Sequence, residues 1–346
     1  MSEGRRVVVA AFGEEPLAAP MSLEPMAVPT AGAGEVVVAV KAAAVGWVDV
    51  LMTSGQYQHV PEPPYTPGLE YAGEVLAGDG FAVGERVLVD PFLAGPRSHG
   101  AYRSAGGFAS YALVPVEAVI RIPGELTMDQ ACNLLGNYET AYHCLVARGR
   151  LQPGETVLIH GASGATGLAA VQVAKLLGAT VIATGRSADK LAAVAREGAD
   201  HVVLVAEMRE RVKAITGGRG VDVVYDAVGG EISVESLRCV RFGARFLIVG
   251  WASTPLVARG GRPANQLPTN LITMKGLDVL GCPAVISTVH DPSLRAPRLA
   301  QILAWAGAGK LRPHVSRSFP LAEFREAMRA KWQGEIVGGC VLRPDA

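Results

Sequence analysis

The stretch Val157-Leu158-Ile159-His160-Gly161-Ala162-Ser163-Gly164-Ala165-Thr166-Gly167 decides the fold. An apolar run enters a glycine-rich turn and leaves it into residues 165–177, where apolar side chains recur at helical spacing. Strand, glycine turn and helix in that order are the context of a dinucleotide fingerprint. A side chain at Gly164 would keep a pyrophosphate away from the backbone N–H groups at the helix N-terminus. Gly167 lets the helix lie close to the sheet. Ser163, Ala165 and Thr166 complete the phosphate turn. Ala162 replaces the first fingerprint glycine, with Gly161 just before it, so a bare G-x-G-x-x-G search would miss the motif.

Outward from this turn, strands at 156–160, 180–184, 201–204, 221–226, 245–249 and 277–281 alternate with helices at 165–177, 188–197 and 233–240. That rhythm means βαβ crossovers and a doubly wound parallel sheet. A site for NAD would place a carboxylate at the end of the second strand, to hold the ribose hydroxyls. Here that strand ends in Ala183-Thr184-Gly185-Arg186-Ser187-Ala188-Asp189-Lys190. Gly185 takes the carboxylate's position, and Arg186, Ser187 and Lys190 are suited to a 2′-phosphate, which favours NADPH. Ser187 also reads as the N-cap of the next helix, and Asp189 is a contrary carboxylate. The other strand ends, at Val228, Gly250 with Trp251, and Leu280 with Gly281, are expected to line the same crevice.

A chain of 346 residues is long enough for about two domains. Lys plus Arg and Asp plus Glu each number 32, so there is no general electrostatic grip on nucleic acid or on an anionic membrane. No uncharged apolar run is long enough to span a bilayer, and the first residues lack an apolar h-region. Five cysteines without a C-x-x-C pair suit free thiols in a reducing compartment, and the expectation is a cytoplasmic protein. Residues 1–125 read as short β segments (7–11, 35–42, 72–76, 86–89 and 108–113) separated by Pro and Gly turns, the pattern of an antiparallel, barrel-like domain. Residues 128–148 read as helical; 294–306 and 321–330 are further helices, and 336–342 a closing strand. The expected architecture is α/β: a β domain of 1–125 and 286–346, interrupted by a dinucleotide-binding domain of 126–285.

Further motifs carry a resemblance. They are Lys41-Ala42-Ala43-Ala44-Val45-Gly46-Trp47-Val48-Asp49, Ser54-Gly55-Gln56-Tyr57, Pro67-Gly68-Leu69-Glu70-Tyr71-Ala72-Gly73, Val83-Gly84-Glu85-Arg86-Val87 and Gly178-Ala179-Thr180-Val181-Ile182. With the glycine turn, they resemble the medium-chain dehydrogenase/reductase superfamily, and specifically its zinc-independent NADPH:quinone oxidoreductase branch. The resemblance implies a GroES-like β-barrel catalytic domain, a Rossmann domain, and a cleft between them where hydride leaves the nicotinamide. It also implies a homodimer joined through the Rossmann sheet edge, and cofactor contacts at Gly46 and Thr140. The superfamily's alcohol dehydrogenases bind catalytic zinc through two Cys and the His of a G-H-E motif. Here those positions read Gly46, Leu69 and Cys132, and one thiolate does not make a three-ligand site.

Without a metal Lewis acid, the acceptor must itself be electrophilic, as a quinone or enone is, and charge forming on its oxygen needs a hydrogen-bond donor. Tyr57 matches the branch tyrosine and is the candidate donor. Trp47 either stacks on a flat acceptor or packs. Gly46 stands where the branch often has Asn, and Leu51 where some members have Tyr. Asp49 and Glu70 read as structural, His160 as a sheet-end histidine with its hydrogen bonds satisfied, and Cys132 as a small buried hydrophobe. Tyr138 and Tyr142 read as core. One rival reading is an enoyl-CoA or enoyl carrier-protein reductase, with Arg259-Gly260-Gly261-Arg262 on a CoA phosphate. Another is a non-catalytic NADPH-binding protein of crystallin or RNA-binding type, against which the zero net charge and the lack of a basic stripe argue.

Overall fold

The computed structural model describes residues 3–257 and 266–344; the Arg259–Arg262 loop lies outside them. The chain opens with the antiparallel pair β1 (Gly4–Val9) and β2 (Met21–Met26). Then follow β3 (Glu35–Ala44), helix α1 (Trp47–Met52), β4 (Tyr71–Gly78), β5 (Arg86–Val89), β6 (Tyr111–Pro115) and β7 (Val119–Arg121). Val36, Val38 and Val40, alternating along β3, and Val75 of β4 pack one face into a core with Tyr65, Tyr71 and Phe108. The sequence pattern missed β2, which carries Pro25, and β7, which is three residues long. Both pair on one side only along the sheet order, where a proline or a short strand is tolerated.

The expected helix over 128–148 is corrected into α2 (Met128–Ala131), α3 (Leu135–Tyr142) and a π-helical turn over His143–Arg148. Thr127 and Gln130 form a reciprocal capping box at the start of α2. Next come β8 (Thr156–Ile159), α4 (Ala165–Leu176), β9 (Thr180–Gly185), α5 (Ala188–Arg196), β10 (His201–Leu204), α6 (Met208–Ile215) and β11 (Val221–Asp226). The segment continues with α7 (Glu231–Ser236), β12 (Val240–Ile248), α8 (Thr269–Lys275), β13 (Asp278–Gly281), α9 (Ala284–His290) and α10 (Arg295–Gly307). The expected helix at 233–240 is corrected, because Val240 already pairs with Val221 in the parallel ladder. The six strands run in the order β10-β9-β8-β11-β12-β13, all parallel, and the order reverses between β8 and β11.

The chain ends with β14 (Val315–Pro320), α11 (Phe324–Trp332) and β15 (Gly339–Arg343). These complete a sheet of order β14-β15-β3-β4-β5-β7, with β6 paired to β3. Two compact units result, 1–136 with 306–346, and 137–305. Both divisions fall later than the expected 125/126 and 285/286. The reason is local: the Gly136 N–H donates to Glu70 Oε1 at 2.5 Å, holding the α2 region to the first unit. Arg295 and Arg298 both grip the buried Glu139 at 2.9 Å, holding the first turns of α10 to the second.

Candidate active site

In the second unit the glycine turn starts where β8 ends. Ala162 N–H reaches Thr184 O at 3.4 Å, and Gly164 N–H donates back to Gly161 O at 3.0 Å, closing a tight loop beneath the first turn of α4. Gly164 is the N-cap and has no side chain to cap with, so the first N–H groups of α4 stay open to an anion. A Cβ on Gly167 would sit 2.3 Å from Gly161 O, and one on Gly164 3.3 Å from the same oxygen. This cradle is one that a side chain would fill, and it fits a pyrophosphate. Thr166 Oγ1 donates to Asn137 Oδ1 at 3.0 Å, which ties α3 to this turn; Thr140 lies one turn beyond Asn137 on the same helix face. Ser163, Ala165 and Thr166 are half-buried around the cradle.

At the end of β9, Gly185 supplies no carboxylate, and a Cβ there would come within 3.1 Å of Leu191. A side chain there would press on Leu191. Ser187 caps α5 by accepting from the Lys190 N–H. Arg186 is exposed and has no hydrogen bond or ion pair with a described residue, while Asp189 is exposed in the first turn of α5. Beyond β11, Asp226 Oδ1 accepts from Val228 and Gly229 N–H at 2.9 Å, and Oδ2 accepts from the Ser233 hydroxyl. This carboxylate shapes the turn that brings Val228 against Gly161, with Val228 Cγ2 3.2 Å from where a Gly161 Cβ would be. Gly250 N–H donates to Asp226 O at 3.2 Å, and Trp251 is exposed beside it. Leu280 is half-buried at the end of β13, and Gly281 faces open space. The turn and the ends of β11 and β12 thus meet around β8.

His160 closes the same strand. It is fully buried, with Nδ1 2.7 Å from Thr184 Oγ1 and Nε2 2.6 Å from Ser236 Oγ. Burial holds its pKa down to about 4 against the opposing charge of Asp226, so it is a neutral structural imidazole. Tyr138 is buried and donates to Gln172 Oε1 at 2.8 Å, and Tyr142 packs on Trp305 at 5.8 Å between ring centroids. Tyr138 belongs to the core, and Tyr142 is half-buried at its margin.

In the first unit, Asp49 organises the segment after β3. It is buried; Oδ2 accepts from Gly46 N–H at 2.8 Å, and Oδ1 from Gly68 and Leu69 N–H at 3.1 and 3.0 Å. Burial pushes its pKa up to about 6 despite those three bonds and the charge of Arg97. Gly46 is glycine because a Cβ would lie 2.9 Å from the Asp49 carboxylate. Leu69 is buried among apolar neighbours. Cys132 is buried, its thiol pushed well above the ordinary range by burial. Among the described residues no group of three His, Cys, Asp or Glu side chains is placed to hold a metal ion.

Tyr57 is half-buried against the β core, its ring edge-on to His59 at 6.5 Å, and its hydroxyl makes no hydrogen bond with a described residue. Trp47 stacks on Trp332 of α11 at 4.5 Å and 20°. One face of the indole is therefore committed to packing, and sequence reasoning missed Trp332 altogether. It also missed the ring pair His59 and His99, 5.2 Å apart, and the buried Arg97, none of which belongs to a spaced motif.

Two family models match. Residues 32–124 match the alcohol dehydrogenase GroES-like domain, and 165–291 the zinc-binding dehydrogenase model. A quinone oxidoreductase-like protein 2 homolog of Nematostella vectensis is 34% identical over 315 residues, covering 90% of this chain and 82% of the relative. The human quinone oxidoreductase is 29% identical over 308 residues, 87% of this chain and 86% of that protein. The quinone oxidoreductase of Thermus thermophilus, solved also in complex with NADPH, superimposes with a TM-score of 0.79 at 30% identity over 98% of this chain and 99% of that one. A GroES-like unit, a parallel sheet with its glycine turn at the switch in strand order, and relatives matched over most of their length agree: the chain belongs to the medium-chain dehydrogenase/reductase superfamily, in its quinone oxidoreductase branch.

Proposed function

We propose that the protein transfers hydride from NADPH to the electrophilic carbon of a quinone or small α,β-unsaturated carbonyl, without a catalytic zinc. One observation carries this reading: the open N-terminus of α4 stands with a β9 end that bears exposed Arg186 in place of a carboxylate. When bound, NADPH supplies the hydride. The α4 N–H groups and its positive dipole end hold the pyrophosphate, and Arg186, Ser187 and Lys190 hold the 2′-phosphate. Gly46 and Leu69, where zinc ligands stand in alcohol dehydrogenases, bring no donor side chain. Polarisation of the acceptor therefore falls to a hydrogen-bond donor. Tyr57, whose hydroxyl is uncommitted, donates to the acceptor oxygen as charge develops there, and a proton from water completes the reduced product. The relatives' names support the acceptor class. Five buried free thiols support a cytoplasmic location.

Steady-state kinetics test both halves. Arg186→Ala is expected to raise the KM for NADPH by about tenfold, the worth of one charge-assisted hydrogen bond, and to leave that for NADH within about twofold; equal losses would contradict the phosphate site. Tyr57→Phe is expected to lower kcat for an enone by about 10²-fold. Full activity in that variant at every pH would remove Tyr57 from the reaction.

A further inference from the structure

The longest irregular connection in the first unit, between β5 and β6, carries Arg97, Ser98 and His99. Irregular segments of this length in a compact domain are often functional. This one is built rather than loose. Asp90 Oδ1 accepts from Phe92 N–H at 2.9 Å, and the Ser98 hydroxyl donates to Gly95 O at 2.7 Å. The Arg103 guanidinium donates to Val60 O at 3.0 Å, fastening the connection to the segment that holds Gln56, Tyr57 and His59.

Three cationic or ionisable nitrogen side chains meet here. The His59 and His99 rings lie edge to face at 5.2 Å, and Arg97, 8% exposed, has its guanidinium carbon 5.8 Å from the Phe92 ring centroid. The Arg97 charge is felt by Asp49, which three backbone N–H groups also hold. Burial, with the nearby His99 and then the charge of Arg97, holds His59 below the usual imidazole range. Two polar atoms beside Tyr57, Gln56 Oε1 and His59 Nε2, are shielded from solvent and have no hydrogen-bond partner. Each such atom costs about 1–3 kcal/mol. Of the two, His59 Nε2 feels the charge of the buried Arg97 guanidinium and is the atom able to donate to a carboxylate oxygen.

We propose that Arg97, His59 and His99 recognise a carboxylate on the acceptor, so that the preferred substrate is a monoanionic unsaturated keto acid. A guanidinium and two imidazole N–H groups match the two oxygens of a carboxylate, and one permanent charge matches a monoanion better than a phosphate dianion. The proposal deepens the reading of Tyr57 and rests on it for turnover, not for binding.

The probes are 4-oxopent-2-enoate and its methyl ester for turnover, and the saturated 4-oxopentanoate for calorimetric binding without turnover. The acid is expected to exceed the ester in kcat/KM by at least about tenfold. Arg97→Met and His99→Asn, each checked for native circular dichroism, are expected to collapse that ratio toward one and to weaken 4-oxopentanoate binding about tenfold or more. Because the buried Arg97 is the riskier substitution for folding, the half-exposed His59 provides a third variant, His59→Asn, with the same expectation. Equal rates on acid and ester in the unsubstituted protein, or ratios and affinities unmoved by the substitutions, would overturn the proposal. Binding of 4-oxopentanoate without NADPH-dependent reduction of either probe would uphold the carboxylate site and sink the proposed hydride transfer instead.

Discussion

A single methyl group is enough to test the glycine turn. Gly167→Ala would drive its Cβ to 2.3 Å from Gly161 O and 2.7 Å from Ala162 Cα, so the turn or α4 must shift. Overpacking of this kind costs about 1–3 kcal/mol, and it falls where the cofactor phosphates bind. The expected outcome is a lower melting temperature together with NADPH affinity reduced at least about tenfold; calorimetry showing unchanged affinity would remove the turn from the cofactor site. The turn itself was legible in the sequence, because its residues are contiguous and each glycine has a local reason. Gly46, Gly185 and Trp47 were legible as positions but not in their causes. Asp49 and Leu191 lie three and six residues away, in the first turns of the helices that follow, whereas Trp332 reaches Trp47 only through the tertiary fold. The same holds for Arg97 and His99 beside His59.

Elements were legible in proportion to their periodicity. The central parallel strands β8, β9 and β11, buried along almost their whole length, read as continuous apolar runs and were placed within a few residues. Strands β2, β7 and β14 were missed because half-exposed or very short strands lack that signal. The capping box at Thr127 shows why 128–148 is not one helix: α2 is a single capped turn, and the backbone rewinds before α3 begins. At this scale the edge strand β13 matters most. It pairs with β12 alone, and α9 leaves Ile286 and Val289 exposed next to it. We propose that two copies join along this edge, as an unprotected parallel-sheet edge invites. Sedimentation is expected to show a dimer, and Ile286→Asp with Val289→Asp a monomer. A monomeric starting protein would refute the arrangement.

At the scale of the whole molecule, buried groups carry proton linkages of both signs. His160 and His143, both in the second unit, are held down to about 4 by burial, and for His143 also by Arg298 and Arg148. The unfolded chain binds those protons near pH 6.5 and the folded one only near 4, so acidification across that window removes stability, about 1.4 kcal/mol per pH unit for each histidine. Asp49, in the first unit, is raised to about 6. Its folded form takes up a proton before the unfolded form does, so Asp49 contributes stability as pH falls from 6 toward 3.8, which offsets the loss from His59 in the same unit. Hydrogen exchange at pH 5 is expected to show residues 137–305 losing protection ahead of 3–136, and the reverse order would contradict this assignment. The architecture of two units was readable from the change in texture near residue 127. The placement of the boundaries was not, because the Glu70 and Glu139 contacts that fix them span long sequence separations.

Strand β15 has a consequence for biosynthesis. It lies between β14 and β3, so the sheet begun by residues 35–44 stays open until residue 343 has left the ribosome. Residues 137–305 are continuous and emerge complete much earlier. During synthesis the amino-terminal third therefore waits with the Ala43 and Ala44 end of β3 unpaired, β6 covering only Glu35 to Ala39, and an open strand end of this kind is exposed to wrong pairing until β15 arrives.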